Sequence, residues 1–191
     1  MANQSSTGFG LRPLRKVGQN DDNAGLSEWK KASGAAAINH HELVQLQGTG
    51  YVLSAGAGGP SLLGSLNGSF YTAPTTSKPT WSNYAPSVVA SDHVCLINDD
   101  PYQMYEMMTA LTNYTDPAAA GATADIVATG GSGAPNYISG FTLGTQATAA
   151  DVQMKIIGLT RDTLSQDVSV AGSVWRCMVN ESILGSNSLG I

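Results

Sequence analysis

Charge is scarce in this sequence. Charged residues make up 12% of its 191 residues, against the ~25% of a typical soluble domain. Glycine, alanine, serine and threonine are abundant instead, so small neutral groups must cover much of the surface. Such a surface is suited to packing against another protein surface. The net charge is −5. We therefore do not expect nucleic acid as a partner, because phosphate binding needs a clustered basic face.

Long hydrophobic runs and cysteines are also few. Residues 1 to 6 are polar, and no apolar run resembles a signal-peptide core or a membrane span. We expect no membrane contact and a protein made and kept in the cytoplasm until it is assembled. The two cysteines, Cys95 and Cys177, each lie in a short apolar run. This predicts two buried, reduced thiols, although a disulfide between them stays open if their strands are neighbours.

The few charges are distributed unevenly. Residues 1 to 31 hold five basic and three acidic groups, a balance of +2, whereas the other 160 residues hold four basic and eleven acidic groups, a balance of −7. A basic arm on an acidic body is expected to meet an acidic surface, either of a partner or of a neighbouring copy.

Short apolar runs broken by glycine predict an all-β fold. Strands about every 8 to 12 residues with few or no helices are typical of a β-barrel or β-sandwich. We expect one β domain over residues 26–181, an extended N-terminal arm over residues 1–25 without regular structure of its own, and a C-terminal tail over residues 182–191 that could bridge to a neighbouring copy. Strands are predicted near residues 26–32, 42–47, 51–53, 61–71, 80–84, 94–98, 103–108, 124–127, 152–159 and 174–180.

Residues 93 to 108 are predicted to form a central hairpin. Apolar residues alternate on both sides of Asp99-Asp100-Pro101, which is a typical turn sequence. Two adjacent aspartates could suggest an acid/base pair. Neighbours at a turn point apart and stay solvated, however, so we interpret both as turn formers.

The residues that could support catalysis or ligand binding are few. His40, His41, Glu42 and His93 could form a metal-dependent hydrolase, but Gln45 stands where a His-Glu-x-x-His motif needs its second histidine, and the segment reads as a strand. Trp29, Trp81 and Tyr84 could stack on sugar rings, although aromatic residues at this spacing more often form a core.

Several short motifs resemble one family of viral proteins. They occur in the same order along the chain: Gly-Phe-Gly-Leu-Arg-Pro-Leu-Arg-Lys at residues 8–16, Leu63-Gly64, Gly68, Tyr71, Lys78-Pro79, Trp-Ser-Asn-Tyr at 81–84, Asn-Asp-Asp-Pro at 98–101, Lys-Ile-Ile-Gly-Leu at 155–159 and Asn180-Glu181. Together they resemble the head decoration, or cement, proteins of tailed bacteriophages, especially podophages. The glycine- and alanine-rich loop at residues 54–60 departs from that pattern.

The resemblance implies a structural role on the virion. Such a protein binds the outer surface of the capsid and stabilises the head by bridging subunits of the major capsid protein, with no enzymatic activity and no cofactor. A homo-oligomer, trimer or dimer, is expected. By hypothesis the contacts come from the arm residues Phe9, Leu11, Arg12, Leu14, Arg15 and Lys16. The alternative is a phage fibre or surface β module that binds host glycans.

Overall fold

The computed structural model describes residues 3, 7–17, 26–149 and 152–185, and these residues are almost entirely β-structure. The one helix within these ranges is a single 3₁₀ turn, Thr163–Ser165. No helix of this part of the chain is long and apolar enough to cross a membrane. The strands are β1 (Arg12–Lys16), β2 (Leu26–Lys30), β3 (Leu43–Leu46), β4 (Val52–Ser54), β5 (Leu62–Thr72), β6 (Pro79–Ser82), β7 (Val94–Asn98), β8 (Gln103–Met108), β9 (Thr123–Val127), β10 (Thr142–Ala147), β11 (Met154–Leu159) and β12 (Val174–Val179).

The strands form two antiparallel sheets that pack together as in a β-sandwich. The first sheet has the order β1-β8-β12-β11-β9-β10, and the second has the order β2-β7-β5-β3-β4. Strand β5 is long enough to pair with β7 on one side and with both β3 and β6 on the other. The all-β prediction is confirmed, and so is the predicted hairpin of β3 and β4.

Two hydrophobic clusters form the core. The larger one joins the sheets, with Leu43 and Leu62 from the second sheet packed with Tyr105 and Trp175 from the first. The smaller one lies on the opposite face of the second sheet and contains Ile38, Val44, Val52, Leu63, Leu66, Ala85, Cys95 and Ile97. Successive residues of a strand point to opposite faces. Strands β3 and β5 are therefore buried on both faces, which explains their continuous rather than alternating apolar runs.

The central hairpin prediction is wrong in its pairing, although both strands exist. Strand β7 belongs to the second sheet and β8 to the first, so the Asp99-Asp100 corner connects the two sheets. The corner is fixed from both sides. Asp99 accepts hydrogen bonds from Ser27 Oγ (2.9 Å) and Trp29 Nε1 (2.8 Å), and the Tyr105 hydroxyl donates to the carbonyl of Asn98 (2.7 Å). Asp99 is consequently buried, and the expectation that it stays solvated is also wrong.

The two ends of the chain are partly built into the domain. Strand β1 pairs with β8 of the first sheet, so the prediction that the arm lacks regular structure is wrong for residues 12–16. The expected arm boundary at residue 25 lies outside the described residues. At the other end, the Ile183 amide donates to the carbonyl of Leu62 (2.8 Å), which places residues 182–185 against β5 of the same chain. Bridging by the tail stays a prediction, and residues 186–191 lie outside the described part.

Candidate functional site

The N-terminal segment, residues 8–17, enters the first sheet through two glycines. A Cβ on Gly8 would lie 2.2 Å from the carbonyl oxygen of Gly140, and a Cβ on Gly10 would lie 2.2 Å from that of His41. Gly10 also has a φ of 71°, a conformation that side chains other than glycine rarely adopt. The Gly10 amide donates to the carbonyl of Phe141 (3.2 Å). These glycines therefore let the segment run close against the backbone just before β10, at Gly140, and just before β3, at His41.

Leu11 is a core residue of this fold. Its side chain has no exposed surface and belongs to the larger hydrophobic cluster, and its amide donates to the carbonyl of His41 (2.8 Å). The sequence identified it as a possible anchor on a foreign surface. A side chain that is wholly buried in its own domain has no surface to offer, so Leu11 is absent from the contacts proposed below.

Two of the basic residues of the segment bind carboxylates of the same chain. Arg12 forms an ion pair with Glu106, which also accepts a hydrogen bond from Thr160 Oγ1 (2.6 Å). Lys16 Nζ lies 2.9 Å from Asp100 Oδ2. Partial burial acts to raise the pKa of Asp100, but the Lys16 ammonium and nearby backbone hydrogen bonding outweigh it and hold that pKa below its ordinary value. The basic arm was expected to meet an acidic surface of a partner or of a neighbouring copy. For Arg12 and Lys16 the acidic groups belong to the same domain.

Four residues of the segment keep surface for a partner. The side chain of Arg12 remains 52% exposed, and its guanidinium carbon lies 5.1 Å from the centre of the Phe9 ring, within the range of a cation–π contact. Leu14 and Arg15 are half-buried on β1. Within the described ranges Arg15 forms neither an ion pair nor a side-chain hydrogen bond, which leaves its charge available.

The histidine and glutamate residues considered for a metal site have other roles. The rings of His40 and His41 are in contact, with their centres 3.8 Å apart and their planes tilted by 30°. Burial, His40 and Arg12 lower the pKa of His41 to about 4. Glu42 is buried and accepts hydrogen bonds from the backbone and side chain of Asn39 (2.9 and 2.8 Å) and from Ser54. In the part of the chain that the structure describes, no group of three His, Cys, Asp or Glu residues could hold a metal ion.

Lys31 and His93 are buried polar residues near the end of β2. Lys31 is 2% exposed, and its Nζ donates to the carbonyls of Ala35 (2.8 Å) and Pro86 (3.2 Å). Both ring nitrogens of His93 are buried without a hydrogen-bond partner. Burial, followed by the charge of Lys31, lowers the pKa of His93 to about 4. The histidine is therefore neutral at neutral pH and packs as an uncharged ring.

Both cysteines are buried and free, as the sequence predicts. They lie on β7 and β12, which belong to different sheets. Burial raises the pKa of the Cys95 thiol to about 12, so it stays protonated and unreactive at neutral pH.

The three aromatic residues considered for sugar stacking lie in different environments. Trp29 is half-buried and bonded to Asp99, whereas the ring of Tyr84 stacks on that of Tyr137 with centres 3.8 Å apart. Trp81 is 55% exposed and lies opposite Phe70, itself 46% exposed. The preference for a core role is therefore wrong for Trp81. Its strand β6 is at an edge of the second sheet, which the local sequence does not reveal.

No family model, curated protein or solved structure matches this chain. Its geometry and its sequence motifs are the basis for the function proposed below.

Proposed function

We propose that this protein is a structural virion component that binds the outer surface of a tailed-phage capsid and stabilises the head by bridging major capsid protein subunits. The single observation that carries the proposal is the basic edge of the domain, defined here as Phe9, Arg12, Leu14 and Arg15, while Lys16, which the sequence also suggested, pairs with Asp100 of the same domain. The basic edge presents positive charge and apolar surface together along β1, on a chain whose residues 32–191 carry a balance of −7.

The motifs that resemble decoration proteins occupy structurally demanding positions in this fold. Gly64 lies so close to β7 that a Cβ there would be 1.8 Å from the carbonyl oxygen of Asn98. Gly68 lies under the ring of Trp81, and Asp99 fixes the connection between the sheets. These motifs are thus requirements of the fold, which supports a shared architecture with the proteins they resemble.

The mechanism is multivalent linkage. The opposite charges of the basic edge and the remaining domain allow each copy to contact both a capsid subunit and a neighbouring copy. Each contact is weak, but contacts made at the same time raise the overall affinity without any new interaction. Contacts with several subunits at once can form only on the assembled shell, so such binding shifts the equilibrium towards that shell.

The experiment uses charge reversal at the basic edge. Removing residues 1 to 18 would delete β1 and take Leu11 out of the core, so a loss of binding would not separate contact from folding. The Arg15→Glu variant changes a residue without an internal ion pair in the described ranges, and Arg161→Glu, on an exposed loop, is the matched control.

Co-sedimentation with phage heads that lack the protein gives the measurement. We expect Arg15→Glu to bind about ten-fold or more weakly than wild type, and Arg161→Glu to bind as wild type does. Wild-type binding should weaken as salt is raised, because surface charge contacts are screened. Absence of wild-type binding, or equal binding by Arg15→Glu, would contradict the proposal.

A further inference from the structure

Phe70 and Trp81 form a partly exposed aromatic pair at an edge of the second sheet, on the face turned away from Cys95 and Ile97 of the smaller cluster. They lie directly opposite each other on β5 and β6, where side chains of neighbouring strands are ~4.5–5.5 Å apart at Cβ. On β5, the two chain neighbours of Phe70, which are Ser69 and Tyr71, point to the opposite face of the sheet. Ser69 Oγ donates to the carbonyl of Tyr84 (2.8 Å), and the ring of Tyr71 contacts the ring of His93 with centres 5.0 Å apart.

The Trp81 ring packs against the backbone of β5 at Gly68. A Cβ on Gly68 would lie 2.6 Å from Cζ2 and 2.7 Å from Cη2 of Trp81, so the indole lies across the bare backbone of this glycine. A larger residue at position 68 would displace the ring. The benzo edge of the indole is thus packed against Gly68, while the Trp81 residue as a whole stays 55% exposed, directly across from Phe70.

An ionised oxygen acceptor is hydrogen-bonded to the strand that carries Phe70. The carboxylate of Asp92 accepts from the backbone amide of Thr72 (3.1 and 3.2 Å). Thr72 follows Phe70 by two residues on β5. Hydrogen bonding by Thr72 lowers the pKa of Asp92, which keeps the carboxylate charged. A carboxylate has lone pairs for several donors, so one amide leaves it free to accept from hydroxyl groups.

The size of the patch indicates the kind of ligand. With about half of each ring exposed, the pair offers roughly 200 Å² of aromatic surface, taking ~150–250 Å² for a whole side chain. A stable protein–protein interface buries about 800 Å² on each partner. The aromatic surface is thus too small for such an interface by itself, but it matches the apolar face of one or two pyranose rings, and the Asp92 carboxylate, bonded two residues along β5 from Phe70, adds an acceptor for hydroxyl groups.

We propose that Phe70, Trp81 and Asp92 form a saccharide-binding site, in which the two rings stack on sugar rings and the carboxylate accepts hydrogen bonds from sugar hydroxyls. The site is remote in sequence from the basic edge and does not depend on the proposed head-binding role. It would add recognition of a polysaccharide surface to a protein that is otherwise structural.

The test screens the full-length protein on an array of neutral and acidic glycans. The binding of the best oligosaccharide is then measured by calorimetry and by tryptophan fluorescence. We expect Trp81→Ala and Phe70→Ala each to weaken binding about ten-fold or more, and Asp92→Asn to weaken it several-fold. The matched control is Tyr102→Ala, which removes another aromatic residue that is 61% exposed and should leave the affinity unchanged.

Melting curves of each variant show whether it is folded before its binding is compared. Absence of any array signal for the folded wild-type protein would overturn the proposal. The proposal would also be overturned if folded Trp81→Ala kept the wild-type affinity for the glycan. The same holds if Tyr102→Ala lost as much affinity as Trp81→Ala. Loss of head binding by Trp81→Ala without any saccharide binding by wild type would identify the patch as a protein contact and would also overturn it.

Discussion

Replacing Leu11 with alanine tests whether the N-terminal segment is part of the core. Its side chain is fully buried in the larger cluster, and truncating a buried leucine to alanine costs about 2–5 kcal/mol. The whole free energy of unfolding of a domain is only about 5–15 kcal/mol. For a chain of this size the variant should therefore melt about 4–20 °C lower than wild type.

Urea unfolding and scanning calorimetry measure the effect of Leu11→Ala. The control is Leu164→Ala, which removes the same atoms from a side chain that is 61% exposed and should change stability by less than ~0.5 kcal/mol. If Leu11→Ala were as stable as that control, the segment would not be docked as β1. The assignment of Leu11 to the core would then be refuted.

Two further predictions concern acid stability and a close backbone approach. The pKa of His41 and of His93 is about 4 in the fold against about 6.5 in an unfolded chain. The unfolded chain therefore binds more protons between these values, and the free energy of unfolding should fall as pH drops from about 6.5 to about 4. Urea titrations at both pH values should show a smaller loss for His93→Gln than for wild type, and an equal loss would contradict the pKa assignment. Gly64→Ala should lower the free energy of unfolding by about 1–3 kcal/mol or more, because its Cβ would meet a carbonyl of β7. Gly56→Ala, which meets nothing within 4 Å, should be neutral, and equal melting of the two alanine variants would count against this packing.

Local patterns were sufficient to predict most strands. The alternation around Asp99-Asp100-Pro101 identified β7 and β8, and the glycine-containing turn after β3 identified a true hairpin. Strands β1 and β10 were missed. Strand β1 carries a proline and three basic side chains in five residues, so it has no apolar alternation of its own and is a strand only because β8 offers it an edge.

The candidate sites were harder to predict. The sequence identified the basic residues of the N-terminal segment, but it did not show that Leu11 is buried or that Arg12 and Lys16 pair with Glu106 and Asp100. The partners of each pair are more than 80 residues apart in the chain. No local spacing rule can bring such residues together, since their proximity depends on the sheet order.

The sequence by itself determined that this protein is all-β, where most of its strands lie, that its cysteines are buried and that its charge is divided between a basic start and an acidic remainder. These properties follow from local periodicity, turn residues and composition, which act over a few residues. Only the tertiary structure decided that β7 and β8 separate into different sheets, that the N-terminal segment completes the first sheet and that Trp81 faces solvent. Those outcomes depend on which distant surfaces pack together, because strands of equal local propensity are assigned to a sheet or an edge by their long-range partners.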